Sequence, residues 1–309
     1  MIAMYKLAGQ CGLLMAVVVG STFAAKAADV EQFFPSETEV VVSINVKQVL
    51  DSPMGRKNTG RMQDELKKID VVQSNLEALG FDPFHDLSSI TLAGAGGNDN
   101  DKLIIVVKGK FDKAKFQAKA DELAKGGDEI VKIIKSDGKT FYETNIPGQS
   151  KPFFVALLDG ATLVASPARG MITDAYEISA GTKKTALKKE VEELLRQNDP
   201  NQSVALAALG TAVSKGLPQL EKIRSLRGGM TVEDDIKLEL VIAATDTDAG
   251  KEFAKTLKDG LDQAKGLLSQ SELAPLAGVI NALKVSEAGS VVTVKGQISR
   301  EVLEKIQKK

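Results

Sequence analysis

Apolar and polar positions alternate over residues 39–46. Val40, Val42, Ile44 and Val46 fall on one side, and Val41, Ser43 and Asn45 on the other. A period of two predicts a strand with one buried face. Asp51-Ser52-Pro53-Met54-Gly55 reads as a turn. Met62, Leu66, Ile69, Val72, Leu76 and Leu79, spaced by three and four, then predict an amphipathic helix over 60–79, ended by Gly80. Two short apolar runs, 89–93 and 103–108, flank the turn-rich stretch Gly94-Ala95-Gly96-Gly97-Asn98-Asp99-Asn100-Asp101 and predict a hairpin. Asp112 caps a predicted helix reaching about Lys125. Residues 130–135 and 139–144 form a second predicted hairpin about Ser136-Asp137-Gly138, where Asp-Gly is a strong turn signal. Strands over 153–158 and 162–166 and helices over 169–180 and 187–197 complete this part.

After Asn198-Asp199-Pro200-Asn201 the order restarts. An apolar run over 204–209 precedes a helix marked by Val213, Leu217, Leu220 and Ile223, with Pro218 near its middle. Strands over 225–232 and 237–245 join through Glu233-Asp234-Asp235. A long helix carries Phe253, Leu257, Leu261, Ala264 and Leu268, and another carries Leu273, Leu276, Ile280 and Leu283. Strands over 283–286 and 291–296 and a final helix from about Arg300 end the chain.

Both parts therefore read strand, helix, strand, strand, helix, strand, strand. The clearest local echo sets 89–116 beside 226–253, where an apolar strand meets an acidic turn, a second strand and a helix with Lys and Phe early. The expected fold class is α+β: tandem duplicated ferredoxin-like, split-βαβ units, with antiparallel sheets and helices on one face. The expected organisation is a signal peptide over 1–27, a first α+β unit with extra strands and helices over 28–200, and a second α+β unit over 201–309. Whether the two sheets join edge to edge or face to face is open at this point.

The start Pro35-Ser36-Glu37-Thr38-Glu39-Val40-Val41-Val42-Ser43-Ile44-Asn45-Val46, the turn Gly80-Phe81-Asp82-Pro83-Phe84-His85-Asp86-Leu87 and the strand pair after it carry a resemblance. Over residues 33–125 the chain resembles a broad group of exported bacterial proteins of unknown function. The shared features are structural punctuation, and the group carries no accepted activity, so the resemblance transfers no functional residue.

The first residues bear on where the protein works. Lys6 precedes an apolar run from Leu13 to Val19, and Ala25-Lys26-Ala27 forms a small-x-small site. This is a secretory signal peptide pattern, with Ala25 and Ala27 framing the cleavage site and Ala28 as the first residue after it. The apolar run falls short of the ~20 residues of a membrane span. A retained N-terminal anchor is the alternative. Removing 27 of 309 residues leaves 282, one large domain or two ordinary ones. The two leader lysines, Lys6 and Lys26, leave with it and take the net charge from −1 to −3. Such a chain has no overall attraction to nucleic acid. Cys11, the one cysteine, also lies in the leader, so the mature chain has no disulfide, thiol nucleophile or thiolate ligand. With three Tyr, eleven Phe and no Trp, stacking platforms are scarce.

Candidate chemistry is thin. His85 is the one histidine, and as a base or ligand it would be oriented by Asp86. A lone histidine cannot build a multi-histidine zinc site. Ser136-Asp137-Gly138-Lys139 matches the Ser-x-x-Lys spacing, but across a turn instead of on one helical turn. The glycine-rich stretch Gly94-Ala95-Gly96-Gly97-Asn98-Asp99 lacks the sixth glycine and leads into a strand, not a helix N-terminus, and so lacks phosphate-loop geometry. The acidic turns 98–101 and 233–235 offer oxygen ligands of the kind calcium takes, without a complete EF-hand loop. Lys183-Lys184, Lys188-Lys189 and Lys108-Gly109-Lys110 read as solvated faces. No catalytic, cofactor-binding or metal-ligating residue is assigned, and no cofactor is expected. The expected function is a non-catalytic binding or structural protein of the cell envelope, periplasm or secreted fraction. It would act on a protein or small-molecule ligand through a sheet face or a groove between units. The alternative is a histidine-independent hydrolase using carboxylate or Ser/Lys chemistry.

Overall fold

A computed structural model describes residues 31–68, 81–97, 100–125, 131–145, 151–217, 220–269 and 274–307. The expected leader, with Ala25 and Ala27, and Ala28 after it lie outside the described residues.

Strand β1 (Val40–Ile44) follows from the alternation noted above. Asn45 then stops the strand and caps helix α1 (Val46–Asp51), its Oδ1 accepting from Gln48 N at 3.0 Å. Ser52 caps α2 (Pro53–Lys67) in the same way, accepting from Gly55 N at 2.9 Å, with Pro53 in the first turn. The turn predicted over 51–55 is thus a junction of two helices. The helix predicted over 60–79 is described only as far as Lys68, because 69–80 lie outside the described residues. Helix α3 (Pro83–Asp86), strands β2 (Leu87–Gly94) and β3 (Ile104–Gly109) and helix α4 (Lys113–Lys125) come next. Asp112 caps α4, its Oδ1 accepting from Ala114 N and Lys115 N. The hairpins β4 (Val131–Ser136)–β5 (Lys139–Thr144) and β6 (Phe153–Leu157)–β7 (Thr162–Ser166) lead to α5 (Arg169–Ser179) and α6 (Lys189–Gln197). Asp137 and Gly138, with φ of 53° and 72°, supply the two left-handed positions of the first hairpin turn.

The chain continues through β8 (Val204–Leu209), α7 (Gly210–Gly216), β9 (Ile223–Val232), β10 (Ile236–Ala244), α8 (Thr247–Ser269), α9 (Ala274–Ala282), β11 (Leu283–Ala288), β12 (Val291–Ile298) and α10 (Arg300–Gln307).

All twelve strands join one antiparallel sheet in the order β11-β12-β10-β9-β8-β1-β2-β3-β7-β6-β5-β4. The two halves meet edge to edge where β1 pairs with β8, Val40 opposite Ala208 and Ile44 opposite Val204. Outward from that seam the second half runs β8-β9-β10-β12-β11. The first runs β1-β2-β3-β5-β4 with the β6–β7 hairpin let in between β3 and β5. In each half a helix, α4 or α8, carries the chain from the third strand to an outer strand of the same direction, with antiparallel strands between them. The first strand of each half, β1 or β8, lies outside this arrangement and pairs at the seam.

Register decides which side chains share a face. Val41 lies opposite Ala93, Ala93 opposite Ile104, and Val106 opposite Val164. This face is closed by Ile172, Ala175 and Ile178 of α5, Val191 of α6, and Phe33 and Phe34 from the segment before β1. On the other face, Ile44 and Ile90 meet Val46, Leu50 and Met62 from α1 and α2, while Ile242 and Val292 meet Phe253, Ala254 and Leu257 of α8. Phe116 of α4 sits edge-on to Tyr142 on that same face, centroids 5.1 Å apart. Helices α1, α2, α4 and α8 thus pack on one face, and α5 and α6 cover the opposite face of the first half. In the second half that opposite face carries Ser225, Arg227, Glu239, Thr293 and Lys295, and a Lys295–Glu239 ion pair of 3.1 Å crosses it. An antiparallel sheet tolerates water on such a face. Full burial of a large apolar side chain such as Phe34 or Ile172 contributes about 2–3 kcal/mol.

Candidate functional site

The seam between the halves is held differently at its two ends. At one end β2 runs out into Ala95, Gly96 and Gly97, and helix α7 of the second half rests directly on that loop. A Cβ on Gly96 would stand 2.5 Å from Ala212 Cβ, and one on Gly97 2.8 Å from Lys215 Cβ, and both glycines have positive φ. Gly96 and Gly97 are therefore a seat for a helix of the second half. The seated helix delivers Thr211 and Lys215 to Glu39. Lys215 Nζ donates to Glu39 Oε2 at 3.0 Å and to Ala95 O at 3.2 Å, and Thr211 Oγ1 donates to Glu39 Oε2 at 3.0 Å. Lys188, just before α6, donates to Glu39 Oε1 at 2.6 Å. Burial alone would raise the Glu39 carboxyl, but these donors outweigh it and hold the group at about 2. A carboxylate so saturated is neither a base nor a nucleophile at neutral pH. It ties β1, α6 and α7 together.

At the other end of the seam Asn45 N donates to Ser203 O and Gln48 Nε2 to Asn201 O. Here a groove of about 500 Å³ opens between the halves. The first half contributes Gln48, Asp51, Ser52, Pro53 and Arg56. The connecting loop contributes Asp199 and Asn201, and the second half Thr231, Val232, Glu233 and Lys237. The floor is stiff: Val232 is buried and its N–H donates to Ser203 Oγ at 3.0 Å. Much of the lining is internally committed. Ser52 caps α2, Asp51 pairs with Lys47 at 3.3 Å, and Glu233 pairs with Lys237 at 2.6 Å. Asp199 accepts from Asn201 N and Nδ2 through Oδ1 alone. Beside the groove, α10 is clasped to α2. Glu304 accepts from Lys57 Nζ at 2.5 Å and Arg300 Nε at 2.9 Å, and these donors lower its carboxyl to about 2. A crevice of about 30 Å³ between these helices has room for a water.

The residues singled out in the sequence take other places. His85 is exposed, and its Nδ1 lies 2.6 Å from Asp82 Oδ2. The expected partner Asp86 instead accepts from Asp82 N, closing the α3 turn. Ser136 Oγ bonds Asp137, while Lys139 pairs with Glu177 of α5 at 3.4 Å, so the Ser-x-x-Lys residues do not act on each other. In the turn 233–235, Asp235 accepts from Gln297 Nε2 at 2.7 Å and from Arg300 N at 3.0 Å, which makes it the cap of α10. In the other acidic turn Asp101 pairs with Lys151 at 2.6 Å, and Asn98 and Asp99 lie outside the described residues. Among the described residues no group of three or more His, Cys, Asp or Glu is placed to hold a metal ion. Lys183 pairs with Asp174, Lys188 with Glu39, and Lys108 with Thr162, so one lysine of each basic cluster is engaged within the protein. Glu31 has a carboxyl raised first by burial and then by Glu192, but it lines neither the groove nor the crevice.

Sequence reasoning offered a groove between units only in general terms, and missed both Glu39 and the residues that line the groove. Glu39 bonds partners 149, 172 and 176 residues away, and no local pattern encodes such pairing. The Ser52-Pro53 helix-start signal was available and would have placed α2 at the groove mouth.

No helix among the described residues is long and apolar enough to cross a membrane. No family model matches the chain, and no curated protein matches it. Among solved structures, crystal form III of TP0453 matches at 10% identity with a TM-score of 0.47, covering 88% of this chain and 95% of that one. Crystal form I matches at 13% identity and 0.46, covering 89% and 94%. Crystal form IV matches at 12% identity and 0.46, covering 92% and 100%. The chain thus has a distant structural similarity to TP0453, at low sequence identity and high coverage.

Proposed function

We propose that this is an exported, non-catalytic binding protein of the periplasm, cell envelope or secreted fraction, and that it takes its ligand in the groove between its halves. The observation that carries the reading is the groove itself. It lies at the one junction where both halves and their connecting loop converge, its volume falls in the range of small-molecule sites, and its floor is hydrogen-bonded. Export rests on the leader, with cleavage after Ala27 leaving Ala28 as the first residue. The two units, 28–200 and 201–309, are tandem copies of one ferredoxin-like split-βαβ element. Their matching strand order, once the β6–β7 hairpin is set aside, supports this. Duplication supplies a reason for the site, since a groove at the joint of two copies is built from loops that each copy alone leaves on its surface.

The test is native mass spectrometry of the mature chain purified from the envelope fraction. A small molecule should accompany the wild-type protein and be absent from Thr231→Trp, whose side chain fills the groove. Wild-type protein that carries nothing, or a ligand retained unchanged by Thr231→Trp, overturns the proposal.

A further inference from the structure

The charges lining the groove do not all cancel internally. Asp51 is matched by Lys47 and Glu233 by Lys237, each within the protein. Two lining groups of opposite sign remain without an ion-pair partner among the described residues. The Arg56 guanidinium makes no hydrogen bond or ion pair among the described residues, and Asp199 uses only Oδ1, leaving Oδ2 open. They come from different walls. Arg56 stands on the first turns of α2, and Asp199 belongs to the loop joining the halves. Both are held by backbone contacts: Arg56 N donates to Ser52 O at 2.9 Å, and Asp199 O accepts from Gln202 N at 3.1 Å. The Thr231 hydroxyl lines the same groove and likewise has no partner among the described residues.

Resting on the groove reading, we infer that its ligand is a small zwitterion, a free peptide of about three residues. Its terminal carboxylate pairs with Arg56 and its terminal ammonium with Asp199. A purely anionic ligand would meet the carboxylates of Asp51, Asp199 and Glu233, and a purely cationic one would meet Arg56 and Lys237. A molecule with separated charges of both signs answers both walls. Guanidinium presents paired donors that match the two oxygens of a carboxylate, and an ammonium donates to the open Asp199 oxygen. Peptide amides between the two ends would find the Thr231 hydroxyl and the Asn201 amide in a groove whose lining is polar and apolar in about equal measure. A volume of about 500 Å³ is more than a single amino acid needs and suits a short peptide.

The test uses trialanine, N-acetyl-trialanine and trialanine amide, titrated by calorimetry into the mature chain and into Arg56→Gln and Asp199→Asn. Thermal melts establish that both variants fold. Trialanine should bind the wild type, and each cap should weaken binding by about 10-fold or more, the loss expected for one charge-assisted contact. Arg56→Gln should bind trialanine and its amide equally while still discriminating against the acetylated form. Asp199→Asn should show the converse. Absence of trialanine binding to the wild type at millimolar concentration, indifference to both caps, or unchanged discrimination in both variants overturns the inference. If the endogenous molecule is lost from Thr231→Trp while trialanine fails to bind, the peptide assignment alone falls and the groove reading stands.

Discussion

Glu39 and Lys215, 176 residues apart in sequence, share a 3.0 Å hydrogen bond at the point where the two halves of the sheet meet. Lys188 binds the other oxygen of the same carboxylate, so one side chain just before β1 fixes elements from both halves. Glu39→Gln removes the charge and keeps the shape. Breaking a largely buried pair costs about 3–5 kcal/mol, and the partial exposure of both lysines lowers this to about 2–3 kcal/mol. Denaturant unfolding of the two proteins at neutral pH measures it.

The same carboxyl sets an acid limb. Its folded value lies near 2 against an ordinary 4.5, so it binds its proton less readily folded than unfolded. Its contribution, on the order of 3 kcal/mol, is present above pH 4.5 and is lost as pH falls through the folded value. Stability measured from pH 5 down to pH 2 should fall less steeply in Glu39→Gln than in wild type. Parallel curves would assign the acid limb to other groups.

Gly96 and Gly138 offer a matched comparison, since both have φ of +72°. A methyl on Gly138 meets nothing within 4 Å, so Gly138→Ala pays only left-handed strain, about 1–2 kcal/mol. On Gly96 a methyl also meets Ala212 Cβ at 2.5 Å and displaces α7. Gly96→Ala should therefore lose clearly more stability than Gly138→Ala, and it should raise hydrogen exchange across 210–216. Equal losses would mean that α7 does not rest on the loop.

Phe34 tests whether the segment before β1 belongs to the core. It is 1% exposed among Val41, Ile104 and α5, a few residues after the predicted cleavage site. Phe34→Ala should cost about 3–5 kcal/mol in chemical denaturation. A cost below about 1 kcal/mol would show that this segment is dispensable.

Two tyrosines, Tyr142 and Tyr176, lie among the described residues, and the third, Tyr5, falls in the expected leader. Burial pushes Tyr142 up to about 12, with Tyr176 and Asp121 adding to it, and burial raises Tyr176 as well. A group raised on folding stabilises the fold below its unfolded value, about 10, and that contribution is lost as pH rises through the folded value. Tyrosinate absorbance of the folded protein should stay low past pH 10, whereas the denatured chain titrates there. Coincident curves would contradict the packing of Phe116 and Phe141 on these rings.

Local pattern made most of the elements legible. The alternation before Asn45 gives β1, Asp137-Gly138 gives its hairpin, and Phe253, Leu257 and Leu261 give α8, because each depends on neighbours within a few residues. The start of α2 was obscured by Pro53, which reads as a turn until Ser52 is recognised as a cap. Which strand neighbours which was not legible: β1 pairs with β8 across 160 residues or more, and β12 inserts between β10 and β11. The groove follows from that pairing, and so do Glu39 and its lysines. Residues such as Arg56 and Asp199 are ordinary surface charges in sequence and become neighbours of one groove only when the halves join.

The most direct measurement is a backbone-amide NMR titration of the mature chain with the molecule eluted from its native preparation. Shift changes should concentrate in residues 48–56, 199–201 and 231–237, with none at the Glu39 end of the seam. Changes centred elsewhere in the sheet, or none at saturating ligand, would contradict binding in the groove.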